Sequence, residues 1–252
     1  MTRIRPTRLA LIAAAAATMT AGPAVTAQDL GGALNLGQLG ATIGVSNAMR
    51  GQVSRGTRLA PAPSRGMPAP ASAAPVRPAA MTFRADPARQ KATVNKWIAR
   101  IGKAEPQTAQ QISASFQRQS LTQMAGPWLG KYGLRTDNGA DAAAAYLSIA
   151  WLIARGNGGD PSRAQITGLR DQLVRAMSVT PGWVNASNAT KQEFADSLLL
   201  QATVNGALLE GAKGNPQRSR AVADAVANGA KSAFGVDVRQ VDLTGSGFQP
   251  RG

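Results

Sequence analysis

Four carboxylates lie at spacings that would suit either hydrolytic chemistry or a structural role. Asp137 and Asp141 are four residues apart at the start of an apolar stretch, and Glu193 and Asp196 are three residues apart in a later segment. Paired carboxylates hydrolyse glycosidic bonds when about 5 to 9.5 Å separates them across a sugar. If the four side chains meet in one cleft, the sequence favours a hydrolase that depends on Asp and Glu.

Helix capping explains three of these carboxylates without catalysis. Asp137 suits an N-cap, because its side chain can accept hydrogen bonds from the free amides of the next turn. Asp141 then lies one turn into the helix, where the positive end of the dipole favours an anion. Glu193 follows Thr190 by three residues, which is typical of a capping box. We therefore expect structural roles here and keep the acidic cluster as a hypothesis.

The composition excludes several classes of enzyme. The 252 residues contain no cysteine and no histidine, so disulfides, thiolate nucleophiles and Cys/His zinc sites are impossible. Catalytic triads that use histidine are excluded for the same reason. The sequence also lacks EF-hand spacing and a phosphate-binding loop. We therefore expect no metal site, no cofactor and no enzymatic activity.

The tryptophans include one candidate for ligand stacking. Trp97, Trp128 and Trp151 lie on the apolar sides of predicted helices, and we expect them in the core. Trp183 lies in the segment TPGWVNASN, which reads as a loop, so we expect this side chain to be exposed. An exposed tryptophan can stack on a sugar or a base. The basic residues lack aromatic interleaving, which disfavours nucleic acid as the partner.

The N-terminal segment has the three parts of a secretory signal. Three arginines precede an apolar run over residues 9–19, which is too short to span a bilayer as a helix. Small and β-branched residues follow and end at Ala27, after which we predict cleavage. We therefore expect residues 1–27 to be a signal peptide and the protein to be exported, either periplasmic or secreted.

The remaining chain divides into an arm, a domain and a tail. Residues 28–83 are rich first in Gly and Leu and then in Pro and Ala. This composition buries little apolar surface and is typical of a disordered arm. Residues 84–248 have the apolar periodicity of a helical domain. Residues 249–252 are a short tail.

Alanine-rich segments with helical periodicity predict an all-α domain of about six helices. Alanine is the best helix former, and proline and glycine separate the periodic segments. From Ala142 to Ala154 the sole polar residue is Ser148. A helix that is apolar all round is buried on all sides, and this stretch is too short to cross a bilayer. We expect it at the centre of a compact bundle, with no transmembrane segment after removal of the signal.

Four segments of the chain carry a resemblance to a known family: KYGLRTDNGADAAAAYLSIAWLIARG, QITGLRDQLVRAM, KQEFADSLLLQATVNGALLEGAKG and VDLTGSGF. Together they resemble an uncharacterised family of exported bacterial proteins that contain a domain of unknown function. The resemblance covers residues 85–248 approximately. It implies a signal peptide, a low-complexity arm and an alanine-rich helical domain, and it implies no activity and no site residues.

The charge balance indicates which partners the surface attracts. Lys and Arg total 28 against 13 acidic residues, a net charge of +15. Such an excess attracts anionic cell-envelope polymers, lipid head groups or acidic proteins, although scattered charges also suit a plain solvated surface. We expect an exported, non-enzymatic envelope or interaction protein that binds an anionic partner through its basic surface. The alternative is an Asp/Glu-dependent cell-wall hydrolase, and the oligomeric state stays open.

Overall fold

The computed structural model describes residues 48–51, 53, 78–103, 106–156 and 159–251. From residue 78 onward, the described residues form eight α-helices, one 3-10 helix and one two-stranded antiparallel sheet. Residues 48–51 and 53 are also helical. The predicted signal peptide and most of the predicted arm lie outside the described residues.

The elements follow one another along the chain with short connections. Their bounds are 3-10 helix Pro78–Met81, α1 Pro87–Gly102, α2 Pro106–Arg118, α3 Leu121–Tyr132, α4 Gly139–Arg155, α5 Arg163–Ser178, α6 Pro181–Val184, α7 Asn188–Gly211, α8 Pro216–Phe234, β1 Val241–Thr244 and β2 Gly247–Pro250.

Helix α4 lies at the centre of the bundle, as the sequence predicts. Every residue from Gly139 to Ile153 is buried, and the helix packs against α5, α7 and α8. Its alanine side chains let the neighbouring helices approach closely. In the part of the chain that the structure describes, no helix has both the length and the apolar character needed to cross a membrane. The all-α bundle around a buried central helix is confirmed.

Two helices begin at residues other than those predicted. Asn138 caps α4, because its Oδ1 accepts hydrogen bonds from the amides of Ala140 and Asp141, and the predicted cap Asp137 precedes it. Ser187 caps α7 with a hydrogen bond from the Thr190 amide to its Oγ at 3.1 Å. Thr190 therefore lies inside the helix and forms no capping box with Glu193. In both cases a nearby residue of equal or greater capping strength takes the position.

The folded region extends beyond the predicted boundaries at residues 84 and 248. Met81 and Phe83 are buried, and the Phe83 amide donates to the Asp137 carbonyl oxygen at 3.0 Å. Met49, within the predicted arm, is buried as well. At the other end, residues 249 and 250 belong to β2. Single apolar side chains therefore anchor segments whose average composition suggested an arm.

The C-terminal hairpin of β1 and β2 lies against α5, and side chains cover its outer edges. The Gln172 amide forms two hydrogen bonds with the backbone of Phe248: Nε2 donates to the carbonyl at 3.0 Å, and Oε1 accepts from the amide at 2.8 Å. On the other strand, Gln165 Nε2 donates to the Leu243 carbonyl at 2.7 Å. These contacts replace the missing neighbouring strands, because exposed strand edges otherwise pair with other chains.

Candidate functional site

Asp137 and Asp141 lie at the start of α4 and bind the same arginine in different ways. Arg135 Nε and Nη2 donate to the two carboxylate oxygens of Asp137 at 2.7 and 2.6 Å. These hydrogen bonds hold the pKa of Asp137 below its usual value. The backbone amide of Arg135 donates to Asp141 Oδ2 at 2.9 Å. Asp137 is therefore a half-buried ion-pair partner of Arg135.

The carboxyl group of Asp141 is strongly altered by its surroundings. It is 2% exposed, and its Oδ1 has no hydrogen-bond partner among the described residues. Burial raises the pKa of Asp141 to about 6, and the Arg135 amide and the Arg170 charge offset part of this rise. A raised pKa of this kind suits a general acid. A general acid must also reach its substrate, and this carboxyl is enclosed.

Asp196 and Glu193 occupy different environments on α7. Asp196 is 1% exposed, and Gln90 Nε2 donates to its Oδ1 at 2.9 Å. Burial raises the pKa of Asp196, while hydrogen bonds from Gln90 and Gln192 lower it by less. Glu193 is exposed, and its Oε1 lies 3.9 Å from Lys96 Nζ. One carboxyl therefore links buried elements, and the other belongs to the surface.

The contacts of the four carboxylates do not converge on one site. Asp137 and Asp141 contact the backbone and side chain of Arg135, whereas Asp196 contacts the side chain of Gln90. Within the described ranges, no group of three or more Asp or Glu side chains is arranged to hold a metal ion. This arrangement gives no support to the hydrolase alternative, which stays an untested hypothesis.

Trp183 is fully buried, which corrects the expectation of an exposed aromatic side chain. Its segment forms the short helix α6, and the indole has 0% exposure. The indole Nε1 donates to the Ala80 carbonyl at 3.2 Å, and the ring lies edge-on to Phe194 with 5.3 Å between centroids. A Cβ at Gly139 would lie 2.2 Å from the indole, so only glycine fits beside the ring. Trp183 is a core residue.

Helix α1 carries a surface feature that the sequence analysis missed. Three exposed cations of α1 and the exposed lysine that follows its last residue recur at intervals of seven, four and three residues: Arg89, Lys96, Arg100 and Lys103. These intervals return to the same side of an α-helix. At 1.5 Å per residue the four positions extend over about 21 Å. We call these four residues the basic track.

The acidic contacts of two track residues, Arg89 and Lys96, are weak. Helix α1 itself contains no acidic residue. An oxygen of Asp86 lies 4.0 Å from Arg89 Nε, and an oxygen of Glu193 lies 3.9 Å from Lys96 Nζ. Exposed ion pairs at such distances contribute little stability and leave their cations accessible. Arg89 and Lys96 therefore present accessible positive charge to solvent.

A cleft of about 380 Å³ opens beside Arg89 at the start of the basic track. One wall consists of residues 84–87 and Arg89, and the other belongs to the first turns of α7. Gln192 joins the walls, because its Oε1 accepts from the Asp86 amide at 3.0 Å and its Nε2 donates to the Asp86 carbonyl at 2.8 Å. Gln192 is 2% exposed. These two hydrogen bonds, which we call the Gln192 clamp, fix the width of the cleft.

Comparison with known proteins identifies a family but no activity. Residues 7–251 match DUF6683, which is described as a family of unknown function. No curated protein and no solved structure matches the chain significantly. The function must therefore be inferred from the residues themselves.

Proposed function

This chain belongs to the DUF6683 family of unknown function, and we propose that it is a non-enzymatic interaction protein that binds an anionic partner through the basic track. The observation that carries this proposal is the alignment of four exposed cations along one side of α1. We further propose that the protein is exported and acts in the cell envelope. The support for export is the N-terminal sequence, with its arginines, short apolar run and small residues before Ala27.

Electrostatic attraction favours an anionic partner over a neutral one. The chain carries a net charge of +15, and the acidic contacts of Arg89 and Lys96 are long and exposed. An array of cations raises the local concentration of an anion and speeds its association. Nucleic acid is disfavoured, because all four tryptophans are buried and none is available for stacking on bases.

Removal of two track cations is expected to weaken anion binding by about tenfold or more. Each Lys or Arg beside an anionic surface contributes about 1 kcal/mol, and 1.4 kcal/mol corresponds to a factor of ten in affinity. The variant is Lys96→Gln with Lys103→Gln. Binding to polygalacturonate and to phosphatidylglycerol vesicles is measured at low and high salt. The affinity of the unaltered chain is expected to fall as salt screens the charges.

The matched control removes the same charge elsewhere on the surface. Arg218 and Arg220 are exposed residues of α8, outside the basic track, and Arg218→Gln with Arg220→Gln lowers the net charge equally. This control is expected to retain an affinity within about twofold of the unaltered chain, because binding depends on position as well as on total charge. Equal losses in the two double variants, or binding that does not respond to salt, would contradict the proposal.

Export is tested by the mass of the protein recovered from a bacterial host. We expect the product outside the cytoplasm to begin at Gln28, because cleavage after Ala27 removes the signal peptide. Intact mass and N-terminal peptide mapping measure this directly. The comparison variant Leu11→Arg places a charge within the apolar run over residues 9–19 and is expected to retain residues 1–27 inside the cell. Recovery of the unaltered chain solely as an uncleaved intracellular product would refute export.

A further inference from the structure

We propose that the cleft at the start of the basic track binds one acidic sugar residue of a linear anionic polysaccharide. This inference rests on the proposed function, because it names the partner class for the same surface. It adds a defined pocket at one end of the track and a direction in which the polymer continues along α1.

The walls of the cleft are held in place before any ligand binds. The Gln192 clamp connects the residue before α1 to α7. A second polar link lies one turn further along both helices, where Gln90 Nε2 contacts Asp196 Oδ1 at 2.9 Å and Thr122 Oγ1 at 3.1 Å. A site whose geometry already exists costs less conformational entropy when a ligand binds. The cleft is therefore preorganised.

The charges that line the cleft favour an acidic group. Arg84 and Arg89 both line it, and Asp86 is the sole carboxylate among the lining residues. Asp86 Oδ1 already accepts hydrogen bonds from the amides of Ala88 and Arg89, because Asp86 caps α1. Two arginines and one carboxylate therefore line the cleft, and that carboxylate already caps α1. The planar donor array of arginine matches the two oxygens of a carboxylate.

The size of the cleft and its position suit one residue of a polymer. Binding sites for small ligands span about 300 to 1,000 Å³, and this cleft of about 380 Å³ lies near the lower limit. Asn188 is an exposed residue that lines the cleft, and a side-chain amide can bond to hydroxyl groups. Because Arg89 belongs to both the cleft and the track, a polymer that occupies the cleft continues toward Lys96 and Lys103.

A hydrated polymer fits this surface better than a bilayer does. A helix that binds a bilayer inserts an apolar face into it. The apolar residues Val94, Trp97 and Ile101 of α1 are buried in the core instead. Among the described residues, the exposed large hydrophobic side chains are Val179 and Val184, and neither lies on α1. The surface thus offers cations and a cleft without a membrane anchor.

The variant Arg84→Gln separates the cleft from the track, because Arg84 lines the cleft and does not belong to α1. The probe is tetragalacturonate, with its methyl-esterified and therefore neutral form as the chemical control. We expect Arg84→Gln to weaken binding of the purified chain to the acidic tetramer by about tenfold, the loss typical of one charge-assisted contact. Arg218→Gln removes the same charge outside the cleft and is expected to change the affinity by less than about twofold.

The outcomes distinguish this inference from the proposed function. If the Lys96→Gln, Lys103→Gln variant loses polygalacturonate binding while Arg84→Gln retains the original affinity, the cleft is not a binding site and the track function stands. If no anionic probe binds, both proposals fail. Equal binding of the acidic and esterified tetramers would overturn the acidic specificity. Binding of phosphatidylglycerol vesicles without binding of the tetramer would overturn the polysaccharide assignment. Thermal unfolding of each variant verifies that it is folded.

Discussion

Gly168→Ala is expected to shift the C-terminal hairpin off α5 and to lower the free energy of unfolding by about 2 to 3 kcal/mol, as overpacked cores do. A Cβ at residue 168 would lie 2.2 Å from the Gly245 carbonyl oxygen and 2.8 Å from the Gly247 nitrogen. Both atoms belong to the backbone of the turn, so no side-chain rotation relieves the overlap. The required shift would also stretch the two hydrogen bonds between Gln172 and Phe248.

Chemical denaturation measures this loss, and a second glycine provides the control. Gly130 lies within α3, and nothing lies within 4 Å of a Cβ placed there. Gly130→Ala is expected to leave stability unchanged or to raise it by up to about 1 kcal/mol, because alanine favours a helix over glycine. An unfolding free energy for Gly168→Ala equal to that of the unaltered chain would show that the hairpin is not seated tightly on α5.

The burial of Asp141 is expected to make the protein less stable as the pH rises from about 4 to 6. Its pKa is raised from 3.8 in the unfolded reference to about 6 in the folded chain. Between these values the folded state holds a proton that the unfolded state has released, so increasing pH favours unfolding. The shift corresponds to about 3 kcal/mol at neutral pH. Asp141→Asn keeps the shape of the side chain and removes its charge.

We therefore expect Asp141→Asn to gain about 2 kcal/mol relative to the unaltered chain between pH 4 and pH 7. Denaturant titrations at intervals of one pH unit measure the unfolding free energies of the variant and the unaltered chain. The contributions of other titrating groups cancel in the difference between the two. Asp137→Asn is the informative comparison, because Arg135 lowers the pKa of Asp137. The stability that ionised Asp137 provides is present above its unfolded pKa and is lost as the pH falls. Parallel pH profiles for the unaltered chain and Asp141→Asn would contradict the prediction.

The helical architecture could be predicted because amphipathic spacing reports which side of a helix is buried. The stripe of α5 is an example: Ile166, Leu169, Leu173 and Met177 recur at helical spacing, and all four are fully buried. The uniformly apolar stretch within α4 is buried on all sides, as its composition predicts. These features depend on residues close in sequence, which a single sequence displays directly.

Features that depend on distant residues could not be predicted in this way. The burial of Trp183 depends on Ala80, which lies 103 residues earlier, and on the absence of a side chain at Gly139. Nothing in the surrounding sequence indicates these neighbours. Asp137 and Asn138 are adjacent, and helix periodicity does not determine which of them caps α4, because it locates a helix end only to within one or two residues.

The basic track could be predicted from the sequence, whereas the cleft beside it could not. The intervals between Arg89, Lys96 and Arg100 place these residues on one side of any helix that spans them, and α1 was predicted from the apolar periodicity of the same segment. The charges appear scattered when the sequence is read in linear order. The cleft could not have been predicted, because Asp86 and Gln192 are 106 residues apart. The sequence directed attention to four carboxylates, of which Asp141 and Asp196 are enclosed, whereas the exposed cations of α1 were not singled out.

The seating of the last two strands determines when synthesis can produce a finished fold. Phe248 is fully buried, and its backbone satisfies the buried amide of Gln172. In a nascent chain that has stalled on the ribosome before residue 241, the surface of α5 that the hairpin covers is exposed to solvent. Folding is then completed only after translation has passed the hairpin, and earlier products expose apolar surface to proteases and chaperones.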